Sequence, residues 1–534
     1  MTGSRQVNTA ARHASRGRSK ARLAALALLA MTSAMLPVGL RAQQAEGVQV
    51  RPLLPPDLDG YIANGMKTFD VPGLAIGVVH NGQLVYQKGF GVRSKSGGGP
   101  VDTRTVFQIG STTKAFLATT LAIMVDRGKL RWDDRVADLD PEFQLEDPWV
   151  TREFRVFDLL AQRSGLPPYA NDVVGMLGAD EAAMIRSLRH VAPTTSFRAN
   201  FTYTNITHLE AGRIVAKADG LPDWNAVLRK ELLDPLGMKD SSYTAAAIEA
   251  APDHAQGHGW TPSGTSPVPF TQIFPYNFGG AGDINSNIED VAQWLRLQLD
   301  DGSFGDERLV SAANLAVTRT PKVSLTDKLV YAMGWIVSMT PKGNVIWHNG
   351  GTSGFGAFIG FSPATHVGIV VLTNEENHGM PESLGLWIFD WILENPPVDY
   401  VAAAFERAKT GYEAREKLFA RPAQPRSFGP LTGLEGDFSN ESFGAARLVL
   451  KGDSLVLTLK ATGAELKLEP WDGDVFTVRI LPTGRYAPVA ESSGPLPLCF
   501  AQFQTSQDGK LDRLRLFFED GQNYVFRREA AAGP

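Results

Sequence analysis

The sequence predicts an α+β fold, in which strands near both ends of a large domain enclose a helical region, followed by a small all-β domain. Residues 71–93 contain two β-rich runs around Asn81-Gly82, a dipeptide typical of a tight hairpin. Helical periodicity dominates from about 111 to 300, and strand-like runs return between about 331 and 374. A sheet assembled from segments this far apart is typical of α+β domains.

The first 42 residues predict a secretory signal peptide. A basic segment precedes an apolar run from Leu23 to Leu36, and a cleavage site follows Ala42. The run is shorter than a membrane span, and no adjacent arginine pair precedes it, which favours the Sec route. We therefore expect a periplasmic or secreted protein with no stable membrane span after cleavage; an uncleaved anchor is the alternative.

The remaining chain is predicted to contain two folded domains. The α+β domain spans residues 50–420, and residues 421–430, rich in proline, form a linker. Short alternating strands separated by turns that pair Gly with Asp fill residues 431–530 and predict a barrel-like all-β domain. Because that segment shows no cluster of acidic residues and histidines, we expect it to be a packing or lid module.

Charge and composition exclude several function classes. Residues 1–42 hold seven Lys and Arg and no acidic residue, so their removal changes the formal charge from −5 to −12. An acidic chain without a basic stripe is a poor nucleic-acid binder. The single cysteine, Cys499, cannot form an internal disulfide and is expected in a core. Neither H-E-x-x-H nor C-x-x-C occurs, so we predict no metal and no cofactor.

A serine and a lysine stand one turn apart in the stretch FQIGSTTKAF. Ser111 and Lys114 begin an apolar helical run that ends near Gly128, where a buried ammonium is costly. In one interpretation the serine caps the helix and the lysine reaches solvent. In the other, the serine is a nucleophile that the lysine activates at the positive end of the helix dipole. The S-x-x-K spacing occurs once in the chain.

Two further motifs supply groups that acyl transfer needs. Tyr203 and Asn205 form a Y-x-N motif, in which a phenol of lowered pKa beside a lysine could move a proton and the amide could orient that lysine. His348, Gly350 and Gly351 follow a strand-like run, and glycines there let a substrate backbone lie close to the strand. Together the motifs predict a hydrolytic site.

The order S-x-x-K, Y-x-N, H-x-G resembles the penicillin-recognising serine hydrolases. The branch most similar comprises class C β-lactamases, related D-alanyl-D-alanine carboxypeptidases, D-aminopeptidases and β-lactamase-type carboxylesterases. The resemblance covers residues from about 57 to 395 and implies a β-lactamase/transpeptidase-like fold, with an antiparallel sheet flanked by helices and an all-helical lobe. The C-terminal segment resembles a lipocalin-like module, which implies a cover over the active site or support for a homo-oligomer.

The resemblance also implies a role for each motif residue. Ser111 would attack the substrate carbonyl after losing its proton to the pair formed by Lys114 and Tyr203, with the base left open between the two. The amides of Ser111 and Gly351 would form the oxyanion hole. Asn205 would orient Lys114 and the substrate amide, and water would release the acyl-enzyme.

The remaining candidates would bind substrate. His348 would hydrogen-bond near Tyr203 or to a substrate carboxylate, and Gly350 would permit the close approach of backbone. A second Y-x-N begins at Tyr169, 58 residues after Ser111 against 92 for Tyr203. The family's tyrosine usually has the longer spacing, so Tyr169 is expected to contact substrate instead.

Two departures from the family pattern bear on the substrate. Gln162 stands where the family often has histidine, and His348 replaces the lysine with which β-lactamases bind the antibiotic's carboxylate. The prediction is a secreted serine hydrolase for D-amino-acid or peptidoglycan-type peptides. A carboxylesterase or a β-lactamase of the same fold is the alternative, with a small ester or β-lactam as substrate. A catalytically silent peptidoglycan-binding protein is the alternative from another class.

Overall fold

The computed structural model describes residues 51–507, 511–518 and 521–530. The predicted signal peptide, residues 1–42, lies outside these residues. Within the described ranges, no helix is both long enough and apolar enough to cross a membrane.

An antiparallel sheet of eight strands forms the centre of the first domain. The strands of this domain are β1 (Gly73–His80), β2 (Gln83–Gly91), β3 (Phe107–Gln108), β4 (His258–Thr261), β5 (Gly264–Pro267), β6 (Asn285–Ser286), β7 (Ser303–Phe304), β8 (Glu307–Arg308), β9 (Val323–Ser324), β10 (Leu329–Tyr331), β11 (Ile336–Ser338), β12 (Val345–Thr352), β13 (Phe355–Ser362) and β14 (Val367–Thr373). The sheet order is β2-β1-β14-β13-β12-β11-β10-β9, so the first hairpin pairs with the last strand of the domain. The sheet is thus built from distant segments, as the sequence predicts.

Helices cover both faces of this sheet. The α-helices of this domain are α1 (Leu58–Phe69), α2 (Thr113–Asp126), α3 (Val136–Leu139), α4 (Pro148–Glu153), α5 (Val156–Leu159), α6 (Asp172–Met176), α7 (Glu181–Ser187), α8 (Ile206–Asp219), α9 (Trp224–Leu228), α10 (Ala245–Ala250), α11 (Ile288–Leu299), α12 (Ala312–Arg319), α13 (Met380–Ile392) and α14 (Tyr400–Phe419), whereas α15 (Ala487–Ser492) belongs to the C-terminal domain. Helix α11 packs on β1 and β14 on one face of the sheet. Helices α1, α13 and α14 pack together on the opposite face.

Helix α2 lies in the centre of the larger core. Its residues from Thr113 to Met124 are all buried, because its apolar side chains surround the helix on every side. Phe116 stacks on Trp294 of α11 with 4.1 Å between ring centroids, and Trp294 stacks in turn on Trp335 at 5.4 Å. This packing fixes the start of α2, and with it the S-x-x-K motif, against the sheet.

The C-terminal domain is a closed antiparallel barrel of eight strands. Its strands are β15 (Gly436–Asn440), β16 (Gly444–Lys451), β17 (Ser454–Leu459), β18 (Glu465–Asp472), β19 (Val475–Ile480), β20 (Cys499–Thr505), β21 (Leu511–Phe517) and β22 (Asn523–Arg528). Cys499 is fully buried in the barrel. The predicted fold class, an α+β domain followed by an all-β barrel, is confirmed; the predicted boundaries at 50, 420 and 431 stay predictions.

Candidate active site

Ser111 lies in a sharp turn between a short strand and helix α2. Strand β3 pairs with β6, and the chain then turns through Gly110, whose φ of 51° lies in the left-handed region that favours glycine. Ser111 occupies the 3₁₀ turn that leads into α2. No side-chain capping hydrogen bond is found at the start of α2, so the capping interpretation of Ser111 is wrong.

Lys114 is fully buried, so the interpretation in which it reaches solvent is also wrong. Its Nζ lies 3.1 Å from Ser111 Oγ and donates to Asn205 Oδ1 at 2.7 Å and to the carbonyl oxygen of Ala281 at 2.8 Å. It also stands over the ring of Tyr203, 4.8 Å from the centroid. Burial lowers the pKa of Lys114 to about 7, although nearby carboxylates oppose the change. A large fraction of Lys114 is therefore neutral near pH 7.

Tyr203 is close to Ser111, but its pKa is shifted in the direction opposite to the sequence-based expectation. Burial raises the pKa of Tyr203 well above its ordinary value, with Tyr331 adding to the rise and a hydrogen bond with Ser111 opposing it. The sequence predicted a lowered pKa from the neighbouring lysine. Desolvation outweighs that attraction, because the phenolate would have to be buried beside a lysine that is itself partly neutral. Tyr203 is therefore a proton donor at neutral pH.

Gln162 holds the Y-x-N segment in place. Its Oε1 accepts a hydrogen bond from the backbone N–H of Thr204 at 2.6 Å, and its Nε2 donates to the carbonyl oxygen of Thr204 at 3.2 Å. This two-way contact fixes the backbone between Tyr203 and Asn205. The position that departs from the family pattern thus has a positioning contact in this chain.

Asn205 connects the lysine to a buried carboxylate that the sequence did not single out. Its Nδ2 donates to Asp172 Oδ2 at 2.6 Å while its Oδ1 accepts from Lys114. Because the two amide atoms have opposite hydrogen-bonding roles, Asp172 fixes the amide with its oxygen towards Lys114. The negative charge of Asp172, followed by that of Asp283, opposes the lowering of the pKa of Lys114.

Strand β12 runs past the serine turn at very short range. A Cβ added to Gly350 would lie 2.0 Å from the carbonyl oxygen of Ile109, and one added to Gly110 would lie 2.7 Å from the amide nitrogen of Gly351. Only glycine permits this approach. The backbone of Gly351 therefore lies beside Ser111, as the predicted oxyanion hole requires.

His348 is buried in β12 and does not carry a charge. Its Nε2 lies 3.0 Å from the hydroxyl of Tyr331, and its Nδ1 lies 2.6 Å from the carbonyl oxygen of Asn349. Burial, followed by the charge of Lys114, lowers the pKa of His348 to about 3. The rings of His348 and Tyr203 are 6.3 Å apart, and the predicted role of His348, a hydrogen bond near Tyr203 or to a substrate carboxylate, stays a prediction.

Ser111 opens onto a cavity of about 650 Å³ with mostly apolar and aromatic walls. The apolar and aromatic lining residues are Tyr169, Val173, Met176, Phe201, Tyr203, Phe274, Phe278, Ala281, Tyr331, Ile336, Leu498 and Phe518. Tyr169, about half exposed, lies at this cavity with its ring 5.5 Å from that of Tyr203. Among the lining residues that the structure describes, none is Lys or Arg, and Asp172 is the single carboxylate.

The structure thus brings together all eight predicted site residues around one cavity or directly behind its wall. The sequence reasoning missed Asp172, Tyr331 and Gln522, which also line it. Asp172 directly follows the second Y-x-N, which was the available signal. Across the described ranges, no group of three or more His, Cys, Asp or Glu side chains is arranged to hold a metal ion.

Comparisons with known proteins show what the chain is similar to. Residues 58–387 match a family model described as Beta-lactamase. The chain is 24% identical over 477 residues to Unguisins hydrolase ungD of Aspergillus violaceofuscus, covering 80% of this chain and 83% of that protein. It is 29% identical over 377 residues to Penicillin-binding protein 4 of Amycolatopsis lactamdurans, covering 68% of this chain and 92% of that protein.

Two solved structures show a similar fold. The octameric penicillin-binding protein homologue from Pyrococcus abyssi aligns with a TM-score of 0.56 and 23% identity, over 88% of this chain and 99% of its own. A class C β-lactamase from Rhodobacter sphaeroides aligns with a TM-score of 0.54 and 22% identity, over 64% of this chain and all of its own. With a family match over more than half of its residues, the chain belongs to the beta-lactamase family of penicillin-recognising serine hydrolases.

Proposed function

We propose that the protein cleaves amide or ester bonds through an acyl-enzyme on Ser111, with Lys114 as the general base. The observation that carries the proposal is the buried Lys114 Nζ, 3.1 Å from Ser111 Oγ, whose pKa is lowered to about 7. A base is most effective when its pKa lies near the working pH, because it is then both unprotonated and able to accept a proton. The raised pKa of Tyr203 favours the lysine over the tyrosine as that base.

The proposed reaction proceeds in two steps. In the first, the Ser111 hydroxyl proton passes to Lys114 Nζ as Oγ bonds to the substrate carbonyl carbon, and the oxyanion lies between the amides of Ser111 and Gly351. The leaving group then takes the proton of the Tyr203 hydroxyl, which Lys114 replaces. In the second, Lys114 takes a proton from water as the water attacks the acyl-enzyme, and it passes that proton to Ser111 Oγ as the acyl bond to Oγ breaks.

The shape of the site favours a peptide as the substrate. Strand β11 pairs with β12 only as far as Trp347. Within the described residues, no strand pairs with the β11-facing edge of residues 348–352, which lie beside Ser111. An extended peptide can add to such an edge through main-chain hydrogen bonds. The preference for D-amino-acid or peptidoglycan-type peptides rests on the family resemblance. It is consistent with similarity to proteins named for hydrolysis of unguisins and for binding penicillin.

The charges of the cavity disfavour a β-lactam. A β-lactam antibiotic carries a carboxylate beside its reactive amide, which needs a cation or several donors. Here His348 is neutral, and the described lining residues include no Lys or Arg. A peptide amide or an ester without a neighbouring carboxylate should therefore bind better than nitrocefin.

The test is intact-mass spectrometry of the protein after reaction with a fluorophosphonate probe, with Ser111→Ala as the matched control. One adduct in the parent and none in the variant would support the proposal. Failure of a folded parent to react would overturn it in favour of a silent ligand-binding protein. Initial rates on D-amino peptides, short-chain esters and nitrocefin then separate peptidase, carboxylesterase and β-lactamase.

Secretion and assembly are part of the same proposal. We expect the protein in the periplasm or the medium with residues 1–42 removed, which N-terminal sequencing of the purified mature protein would test. We also expect homo-oligomers formed through the barrel, as the Pyrococcus abyssi homologue is described as octameric. Light scattering on a sizing column tests this, and a monomer at all concentrations would contradict it.

A further inference from the structure

The C-terminal barrel contributes side chains to the cavity in front of Ser111. Leu498 precedes strand β20, and Phe518 and Gln522 belong to the connection between β21 and β22; all three line the cavity. A barrel that served only as a separate module would have no need to reach this wall. The contacts of Gln522 show what the barrel does there.

Gln522 binds the backbone of one turn of the first domain from both sides. Its Nε2 donates to the carbonyl oxygens of Tyr169 at 3.1 Å and Pro168 at 3.3 Å, and its Oε1 accepts from the N–H of Asn171 at 3.0 Å. Tyr524, two residues later, donates its hydroxyl proton to Asn171 Oδ1 at 2.9 Å. The barrel thus satisfies the main chain and a side chain of this turn.

The turn has a backbone conformation that needs such support. Tyr169 has a φ of 53° and Asn171 a φ of 58°, both in the left-handed region. Asparagine adopts this region readily, but for tyrosine the conformation is strained. Hydrogen bonds to Gln522 on both sides of Ala170 offset this strain. They form only when the carbonyl group of Tyr169 and the N–H of Asn171 both point towards the barrel.

The same turn is joined to the proposed base. The N–H of Tyr169 donates to the carbonyl oxygen of Tyr203 at 2.7 Å. Asp172, which follows Asn171, accepts from Asn205 at 2.6 Å, and Asn205 in turn accepts from Lys114 at 2.7 Å. A continuous series of contacts therefore runs from the barrel to Lys114 Nζ.

We propose that Gln522 and Tyr524 are positioning residues of the active site, which hold the 169–172 turn so that Asp172 and Asn205 place Lys114 beside Ser111. The proposal rests on the proposed function, in that Lys114 is the base. It makes the barrel a working part of the catalytic domain. It also predicts that the loss of two polar side chains of the barrel changes the reactivity of a serine in the other domain.

The charges around Lys114 give this arrangement a signature in the pH dependence. The titratable groups that face Lys114 are Asp172 on α6, Asp283 in the loop after Ala281, Tyr203, His208 on α8 and His348 on β12. Of these, the two carboxylates raise the pKa of Lys114 against the effect of burial. If the turn releases Asp172, the pKa of Lys114 falls further, and the acid limb of the rate profile moves to lower pH.

The test measures the rate constant for phosphonylation of Ser111 in the full-length chain at a series of pH values around 7. The variants are Tyr524→Phe, Gln522→Ala and the two combined. Gln502→Ala is the matched barrel control, because Gln502 donates to Asp474 within the barrel. Tyr486→Phe is the control for contact between the two domains. It removes a hydrogen bond of 3.0 Å from the Tyr486 hydroxyl to the carbonyl oxygen of Leu177, which lies outside the 169–172 turn.

The expected result is a plateau rate about tenfold lower in the double variant, with its acid limb displaced to lower pH and its melting temperature close to that of both controls. An unchanged rate and pH profile in the double variant, with a reactive parent, would overturn the inference and leave the proposed function intact. An equal loss of phosphonylation rate in Tyr486→Phe would also overturn it. The rate would then depend on contact between barrel and first domain in general and not on the 169–172 turn. A parent that does not react would instead refute the proposed function.

Discussion

The ammonium nitrogen of Lys114 lies 3.1 Å from the hydroxyl oxygen of Ser111, although no part of Lys114 is exposed to solvent. A helix that buries every residue of its first turns would be more stable with an apolar side chain at this position. The chain accommodates the lysine by providing two oxygen acceptors, from Asn205 and Ala281. Such a costly arrangement is typical of functional sites.

Replacement of Lys114 by methionine should abolish activity without unfolding the protein. Methionine has a similar length and suits the buried site, but it cannot accept the Ser111 proton, so the phosphonylation rate should fall by about 10³-fold or more.

In the parent, the rate of phosphonylation should rise as the pH passes about 7, since burial lowers the pKa of Lys114 to about 7 and only its neutral form accepts a proton. Burial also raises the pKa of Asp283 to about 7, so the rise of the rate with pH reflects the titration of both Lys114 and Asp283. A rate that is flat across this range would contradict the assignment.

Much of this site could be predicted from the sequence, because the S-x-x-K, Y-x-N and H-x-G motifs are short. Ser111 and Lys114 lie one helical turn apart, so helical geometry alone brings them close, whatever the rest of the fold is. The fold class followed from periodicity, since strand and helix patterns differ along the chain.

The rest depends on contacts that sequence patterns do not report. Gln522 meets Tyr169 across 353 residues of chain, and nothing near Gln522 distinguishes its hairpin from others in the barrel. The direction of the pKa change of Tyr203 also depends on burial, which only the packed structure supplies. The motif spacing indicates that a lysine lies near Tyr203, but it does not indicate how strongly the Tyr203 hydroxyl is desolvated.

Alanine at Gly350 should slow acylation of Ser111 strongly, whereas alanine at Gly351 should be tolerated. The new Cβ at Gly350 would lie 2.0 Å from the carbonyl oxygen of Ile109, so β12 must move away from the serine turn. At Gly351 the nearest atom is Asn377 Cβ at 3.4 Å, an ordinary contact. A shift of about 1 Å in an oxyanion donor should cost roughly 10²-fold in acylation rate. Equal rates of phosphonylation in the two variants would show that the position of β12 does not matter.

Phenylalanine at Tyr203 should impair amide hydrolysis more than ester hydrolysis. An amine must be protonated to leave, whereas an activated phenolate leaves unaided, and the raised pKa of Tyr203 makes it a proton donor. We expect kcat on a peptide amide to fall by about 10²-fold or more and kcat on a p-nitrophenyl ester to fall far less. The measurement is the ratio of the two kcat values in parent and variant. A ratio that does not change would argue that Tyr203 acts in attack on the carbonyl, as a base.

Glutamine at Glu210 should stabilise the protein, and more so as the pH rises. Glu210 on α8 is fully buried, and within the described residues neither of its carboxyl oxygens has a hydrogen-bond partner. Burial, followed by the charge of Asp140, raises the pKa of Glu210 to about 9, against 4.5 as its ordinary value. The folded protein therefore keeps this carboxyl protonated at a pH where the unfolded chain releases the proton. Its contribution to stability is complete below about pH 4.5 and is lost progressively as the pH rises towards 9.

Glutamine is uncharged in both the folded and the unfolded chain, so the variant should lack this pH dependence. The free energy of unfolding of Glu210→Gln, relative to the parent, should increase by at most about 1.4 kcal/mol per pH unit between pH 4.5 and 9. Urea unfolding at several pH values measures this difference, with Glu146→Gln, at an exposed position, as the control. A difference for Glu210→Gln that is constant with pH would mean that the carboxyl titrates normally in the folded protein. A cation would then have to stabilise the buried carboxylate, and Arg213 lowers the pKa of Glu210 more than Lys217 does.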